Sequence, residues 1–199
     1  MEMHRTINRR GEGDRLREEV LLAATGLLGS ATSRHAVTLR AIARAAGIAA
    51  PSIYRHFTDR DAILDAVVSR TFLQLELVCR DAASAWTTGL ERTGAIASAY
   101  VEFAATHRSE YRILFERSVD NLGADPHIYP DGLQAFGYLS QAIEQMVAEG
   151  TSSSDDAVRD AQALWAALHG LVTLLPVTPA FPWPAQQDLV DRLVHGLTR

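Results

Sequence analysis

The chain has 199 residues, of which 47% are hydrophobic and 22% are charged, and this composition is typical of a globular protein with a sizeable core. No apolar run reaches the roughly 18–20 residues that a membrane-spanning helix needs, and no apolar segment follows the basic N-terminus as a secretory signal would require. The single cysteine, Cys79, excludes an intrachain disulfide and a cysteine zinc cluster, so we expect a reducing, cytoplasmic location.

The net charge of −5 is unevenly distributed along the chain. All 19 basic residues are arginine, and ten of them lie in residues 1–60, which carry six acidic residues and a formal charge of +4. The remaining 139 residues carry nine arginines and 18 acidic residues, for a charge of −9. A basic first third favours nucleic acid or another anionic partner, although an uneven distribution of this size is equally compatible with chance.

The spacing of apolar residues predicts helices along the whole chain, with no strand and no internal repeat. Residues 1–12 are polar, and we expect them to form a flexible arm. The predicted helices cover residues 14–28, 38–46, 50–57, 58–86, 90–107, 109–117, 132–149, 155–175 and 185–197. Thr58 is expected to cap the long fourth helix, with Asp61 completing a weak capping box. The segment 176–185 contains four prolines and is predicted to be non-helical.

The segment TLRAIARAAGIAAPSIYRHF, residues 38–57, has the features of a helix-turn-helix. Small and aliphatic residues can bury one face of the first helix, and Gly47 can adopt the left-handed backbone of a sharp turn. The predicted buried residues are Leu39, Ile42, Ala43, Ala46, Ile48, Ile53 and Phe57. The second helix then presents its other face to solvent or to a DNA groove, with Ala50, Pro51, Ser52, Tyr54, Arg55 and His56.

The longer stretch VTLRAIARAAGIAAPSIYRHFTDRDAILDAV resembles the DNA-binding domain of the TetR family of bacterial regulators. The resemblance implies an all-α fold of about nine helices, with a three-helix DNA-binding module at residues 13–60 and a ligand-binding and dimerisation domain at residues 61–199. Two residues depart from the family pattern, since Ala49 stands where serine often caps the recognition helix and Arg60 stands where lysine is usual. Pro51 partly compensates for the missing cap because proline suits the first helical turn.

This resemblance implies that two sets of side chains contact the major groove of DNA. The phosphate contacts, which position the protein without specifying a sequence, are assigned to Thr38, Tyr54, His56 and Arg60. The base contacts are assigned to Arg40, Ala50, Pro51 and Ser52, with Tyr54 and Arg55 as further candidates.

Three arginine assignments leave alternatives open. Arg40 suits a guanine edge and a phosphate equally well. Arg44 is more typical of a solvated helix face than of a DNA contact. The N-terminal arginines form either an arm that reaches a neighbouring groove or a disordered tail, and they are Arg5, Arg9 and Arg10.

Two C-terminal stretches, ALWAALHGLVTLL and YVEFAATHRSEYRILFE, resemble the WHG-type C-terminal domain of one TetR subgroup. The resemblance implies a cavity for a small apolar or aromatic effector. The residues predicted to line it are Tyr100, Phe103, Tyr111, Phe115, Trp165 and His169. Trp165 and His169 lie one turn apart on one helix face. His169 is therefore either a polar group of this cavity or a hydrogen-bonded histidine of the core.

The family pattern also implies a homodimer in which the last two long helices of each chain form a four-helix bundle. The predicted contacts are a strip of small residues, Ala163, Ala166, Ala167 and Gly170, and an apolar stripe on the last helix, Leu189, Val190, Leu193, Val194 and Leu197. The alternative is that these residues pack only within their own chain.

These patterns together predict a sequence-specific, DNA-binding transcriptional regulator, a repressor released from a palindromic operator by a small ligand. Ligand binding is expected to shift the helices at 58–86 and 132–149 relative to each other and so to change the spacing of the recognition helices. An activator and a small-molecule-binding protein without operator function are the alternatives. An enzyme is disfavoured because the sequence has no nucleotide-binding loop and no paired-histidine metal motif, so we expect no metal and no cofactor besides the effector.

Overall fold

A computed structural model of the chain describes residues 13–31, 36–115 and 130–198. Within these ranges the chain forms eight α-helices, a 3₁₀ helix at Ala50–Arg55 and no strand, which confirms the predicted all-α fold. The α-helices are α1 (Gly13–Ser30), α2 (Leu39–Ala45), α3 (Arg60–Ser84), α4 (Gly89–Thr106), α5 (Arg108–Phe115), α6 (Pro130–Ala148), α7 (Ala157–Val177) and α8 (Gln186–Leu197). The predicted flexible arm and its three arginines lie outside the described residues.

The N-terminal module is built around buried aliphatic side chains. Val20 and Ala24 on α1 are fully buried, and α1 packs against α2 and the start of α3. Ile42 of α2 and Ile53 of the 3₁₀ helix are also fully buried, as predicted. These contacts anchor the helix-turn-helix, because each fully buried aliphatic side chain contributes about 1.5–3 kcal/mol to folding.

The C-terminal body is a bundle in which α3 packs against α4 and α6, and α6 packs in turn against α7. A capping box between Thr88 and Glu91 begins α4, and the Asp156 side chain caps α7 by accepting from the backbone N–H of Arg159. Gly89 allows a close contact between α4 and α6, since a Cβ there would lie 2.5 Å from the backbone nitrogen of Met146. Helix α8 packs against α4 and α7.

Several predicted helix ends are wrong by a residue or two, and the start of α3 and the end of α7 are the most informative. Helix α3 is capped by Asp59, whose carboxylate accepts from the backbone N–H of Ala62 at 2.8 Å, and Thr58 instead donates its hydroxyl to Asp59 at 3.2 Å. Helix α7 extends through Pro176 to Val177. Pro176 has no N–H to donate to the residue four positions earlier, and the helix ends one residue later, where the N–H of Thr178 bonds to the Leu174 carbonyl at 3.0 Å.

Candidate nucleic-acid interface and ligand cavity

The turn between α2 and the 3₁₀ helix has the geometry that the sequence predicts. Thr38 caps α2 by accepting from the backbone N–H of Ala41 at 3.2 Å. At the other end, Gly47 has a φ of 66°, its N–H bonds to the Arg44 carbonyl, and the N–H of Ile48 bonds to the Ala43 carbonyl at 3.0 Å. This pair of bonds is a Schellman motif, which fixes the direction in which the chain leaves α2.

The recognition segment differs from the predicted helix at residues 50–57, because it forms a 3₁₀ helix over Ala50–Arg55. The N–H of Ser52 bonds to the Ala49 carbonyl, and the N–H of His56 bonds to the Ile53 carbonyl, both at 2.9 Å. No side chain caps its start, since Ala49 has no polar atom to offer. The hydrogen bonds of a short 3₁₀ helix have poor geometry. Burial of the Ile53 side chain therefore contributes more to the position of this segment than its backbone hydrogen bonds do.

The side chains predicted to contact DNA lie on the surface of this module. Tyr54 is 61% exposed, which is unusual for a tyrosine in a module of this size. Thr38, Arg40, Pro51 and Arg55 are exposed as well, and Ala50, Ser52, His56 and Arg60 are half-buried. Arg44 is also exposed, so its position is compatible with both alternatives.

Arg60 begins α3 and is already engaged by a neighbouring carboxylate. Its Nε and Nη2 donate to Asp61 Oδ1 at 3.0 and 2.6 Å, and Asp61 is the more exposed partner. A hydrogen bond from the backbone N–H of Ala62 lowers the pKa of Asp59, the residue before Arg60. The side chains of Asp59 and Asp61 therefore flank Arg60 at the N-terminus of α3. The bonds to Asp61 use Nε and Nη2 and leave Nη1 for a phosphate, and an exposed pair of this kind contributes at most about 1 kcal/mol.

A mostly apolar cavity of about 390 Å³ lies within the C-terminal body, and we call it the apolar cavity. Helices α3, α4, α5, α6 and α7 all contribute to its walls. Three predicted ligand residues line it, namely Tyr100, Phe115 and Trp165, together with Phe72, Phe136 and Leu139. Cys79 also lines this cavity, and burial raises the pKa of its thiol to about 12.

A second cavity of about 540 Å³ lies between the C-terminal half of α4, α5 and the end of α7, and we call it the arginine cavity. The predicted ligand residues Tyr111 and His169 line this cavity, and Phe115 lines both cavities. Phe103 lines neither of them, because its ring is buried and stacks on the His107 imidazole at 4.7 Å. The predicted lining residues are thus divided between two neighbouring cavities.

A chain of hydrogen bonds connects the walls of the two cavities. Trp165 Nε1 donates to Tyr100 Oη at 3.2 Å, Tyr100 and Tyr111 share a hydroxyl–hydroxyl bond of 2.6 Å, and Tyr111 Oη lies 2.6 Å from His169 Nδ1. Trp165 and His169, one turn apart on α7, are therefore the two terminal residues of this series of hydrogen bonds. We call these four residues the tyrosine chain.

Burial sets the protonation of the tyrosine chain. Desolvation raises the pKa of Tyr100 to about 12 and raises that of Tyr111 further, while it lowers the pKa of His169. All three shifts favour the neutral forms, because transfer of a charge into an apolar environment is costly. The tyrosine chain consequently contains two neutral phenol groups, those of Tyr100 and Tyr111, and the neutral imidazole of His169 near pH 7.

Arg112 on α5 connects the ligand-cavity region to the DNA-binding module, and the sequence analysis missed it. Its Nη2 donates to the carbonyls of Leu28, Gly29 and Ala31 at 3.0, 2.8 and 3.0 Å, at the C-terminal end of α1. A cation is favourable there because the last carbonyls of a helix have no intrahelical partners. Gly29 permits the close approach, since a Cβ would lie 2.7 Å from the Ser109 side chain.

Most of the predicted dimer residues lie where an intermolecular contact is geometrically possible. Ala163 and Ala166 are exposed on α7, and five further members are half-buried: Ala167, Gly170, Leu189, Leu193 and Leu197. The other two members of the predicted stripe, Val190 and Val194, are buried within the chain, so their assignment to the dimer contact is wrong. Helix α7 also exposes Leu174 and Val177, by 49% and 70% of their surfaces.

Comparison with family models gives matches to both parts of the chain. Residues 21–67 match the model described as bacterial regulatory proteins of the tetR family, and residues 94–197 match the tetracyclin repressor-like C-terminal domain. The second match covers more than half of the chain, so the chain belongs to the TetR family. The narrower WHG resemblance stays a prediction.

Solved structures share this fold over nearly the whole chain. A protein of unknown function from Rhodococcus sp. RHA1 is 26% identical, with a TM-score of 0.79 over 96% of this chain and 100% of that one. The MbdR regulator from Azoarcus sp. CIB is 19% identical, with a TM-score of 0.70 over 90% and 96%. FadR from Bacillus subtilis, solved in complex with stearoyl-CoA, is 14% identical, with a TM-score of 0.72 over 91% and 97%.

The family matches show that the chain is a DNA-binding transcriptional regulator with a helix-turn-helix. The family is one of regulators and not of enzymes, and its members dimerise and bind small molecules. In the part of the chain that the structure describes, no group of His, Cys, Asp and Glu side chains could hold a metal ion. No helix among the same residues is both long enough and apolar enough to span a membrane.

Proposed function

We propose that the chain is a repressor that binds a two-fold-symmetric operator as a homodimer and leaves it when a small apolar or aromatic molecule enters the apolar cavity. The observation that carries this proposal is the apolar cavity itself. Five aromatic residues, Phe72, Tyr100, Phe115, Phe136 and Trp165, line a space of about 390 Å³, which is a typical size for a small-molecule site. The expected site of action is the cytoplasm, and no catalytic residue is assigned.

The proposed DNA contacts follow from exposure and chemistry. Tyr54 and His56 lie on the recognition segment and can donate to phosphates, with Thr38 and Arg60 at the starts of the flanking helices. The exposed guanidinium of Arg40 suits the O6 and N7 acceptors of guanine or a phosphate. The remaining base-reading candidates are Ala50, Pro51, Ser52 and Arg55.

The dimer is proposed to form through α7 and α8. The exposed Ala163 and Ala166 allow another helix to approach closely, and Leu174 and Val177 offer apolar area further along the same helix, near its C-terminal end. A two-fold dimer places its two recognition segments about 34–36 Å apart, one turn of DNA, and so requires a palindromic operator.

Two connections can transmit ligand binding to the DNA-binding module. Helix α3 contributes Phe72, Leu75 and Cys79 to the apolar cavity and begins at the module itself, so the boundary proposed after residue 60 lies in its first turn. Helix α5 contributes Phe115 to the same cavity, and its Arg112 holds the end of α1. A ligand that displaces α3 or α5 relative to α6 therefore changes the position of the recognition segment.

Selection of binding sites from random DNA, followed by a screen for compounds that release the selected DNA, tests the proposal. A palindromic site and release by an apolar or aromatic compound are expected. In the variant Phe136→Ala, release should need a higher compound concentration while affinity for free operator is unchanged. The matched control is Trp86→Ala, because Trp86 is exposed and lines neither cavity. Selection of no site, or equal release of both variants, contradicts the proposal.

A further inference from the structure

The arginine cavity differs from the apolar cavity in charge. Its lining residues include Arg108, Arg112 and His169, and none of the lining residues that the structure describes carries a carboxylate. The Nη2 group of Arg112 donates hydrogen bonds to the carbonyls at the end of α1. Arg108 is exposed, and the structure gives its side chain no hydrogen-bond or ion-pair partner among the described residues. The remaining wall is mainly aliphatic, with Val101, Ala104, Val172, Leu175 and Val177.

The tyrosine chain fixes which nitrogen of His169 is available to a ligand. Trp165 Nε1 can only donate, so Tyr100 Oη accepts from it. Every hydroxyl hydrogen has a partner when Tyr100 donates to Tyr111 and Tyr111 donates to His169 Nδ1. In the opposite direction the Tyr100 hydroxyl hydrogen would lack a partner among the described residues. A buried unpaired donor is costly, so Nδ1 accepts and the hydrogen of the neutral ring lies on Nε2.

His169 therefore presents a donor to the arginine cavity, since it lines that cavity and its Nε2 has no partner among the described residues. Burial lowers the pKa of His169, which agrees with a neutral ring. The other charged and titratable groups on the cavity wall are Arg108, Arg112 and Tyr111. A ligand atom beside His169 and Arg108 thus meets only donors and positive charge from these two residues.

We propose that the arginine cavity is a second ligand site, which binds an organic anion with a short apolar body. The carboxylate, or a group of equal charge, accepts from Arg108 and from Nε2–H of His169, and the apolar body packs against the aliphatic wall. The site is separate from the apolar cavity, which has no arginine among its described lining residues. It does not rest on the proposed operator release, because occupancy is measured without DNA.

Calorimetric titration of the full-length protein with octanoate tests this site, with octanamide as the uncharged ligand of equal length. We expect octanoate to bind with one site per chain and octanamide to bind at least about tenfold more weakly, because a charge-assisted hydrogen bond is lost. Arg108→Gln should weaken octanoate binding by about tenfold for the same reason. Arg80→Gln is the matched control, since Arg80 is also exposed and lines neither cavity.

Nitrogen NMR of the histidine rings locates the ligand independently. Addition of octanoate should shift Nε2 of His169, with the signal assigned through His169→Gln, and Nδ1 should keep the shift of an acceptor. The proposal is overturned by equal affinity for octanoate and octanamide, by unchanged octanoate affinity in Arg108→Gln, or by an unshifted His169 ring. Absence of saturable binding by hexanoate, octanoate and decanoate alike also overturns it.

Discussion

Removal of one hydroxyl group, in Tyr111→Phe, breaks the tyrosine chain at its centre. The Tyr111 oxygen makes two bonds of 2.6 Å, to Tyr100 Oη and to His169 Nδ1, and the ring itself is buried. Each hydrogen bond contributes about 0.5–1.5 kcal/mol net, and a buried group left without its partner costs about 1–3 kcal/mol. Most of this cost arises at Tyr100, because its hydroxyl loses a partner and the residue is only 6% exposed. His169 is half-buried, so water can replace its lost partner. We therefore expect a loss of about 2–4 kcal/mol in the free energy of unfolding.

Urea unfolding, followed by circular dichroism, measures this loss. Tyr54→Phe is the matched control, because it deletes the same group from a ring that is 61% exposed and whose hydroxyl has no partner among the described residues. Its free energy of unfolding should stay within about 0.5 kcal/mol of the unmodified protein. A loss below about 0.5 kcal/mol for Tyr111→Phe as well would refute the tyrosine chain as a set of well-formed bonds.

Three further predictions concern the turn, the DNA contact and the pH dependence. Gly47→Ala should destabilise the fold by about 1–2 kcal/mol in thermal unfolding, because φ is 66° there, whereas Gly26→Ala on α1 should be neutral or stabilising. Arg60→Gln should reduce the slope of log K for operator against log salt by about 0.9 per subunit, and an unchanged slope would remove Arg60 from the phosphate contacts. Because folding lowers the pKa of His169 from 6.5, the contribution of this residue to stability is present above that pH and is lost as the pH falls below it. The free energy of unfolding, measured in urea at a series of pH values, should therefore fall less steeply below pH 6.5 in His169→Gln than in the unmodified protein. An identical fall in both proteins would exclude His169 as its source.

The DNA-binding module could be predicted closely from the sequence because local chemistry determines it. Gly47 takes the left-handed conformation that the turn requires, and Ile42 and Ile53 are buried as their spacing indicates. The cap of α3 was misplaced by one residue, from Thr58 to Asp59, because both side chains can cap a helix and sequence alone does not choose between neighbours.

The ligand-binding body was less predictable because its features depend on contacts between distant residues. Tyr100 and Tyr111 were expected to line one cavity, but their hydroxyls bond to each other and their rings line different cavities. Arg112 gave no local signal, since its partners are carbonyls about 80 residues earlier, at Leu28, Gly29 and Ala31. Arg112 is one of two arginines in the short amphipathic α5, and nothing in that local pattern indicates its distant partners.

The central claim is that occupancy of the apolar cavity and operator binding oppose each other, and thermodynamic linkage tests it most directly. A compound from the release screen is titrated into the free protein and into the operator complex, and operator affinity is measured with and without saturating compound. The operator should weaken compound binding by the same factor, above one, by which the compound weakens operator binding. Equal compound affinity in the free protein and the complex would contradict the account.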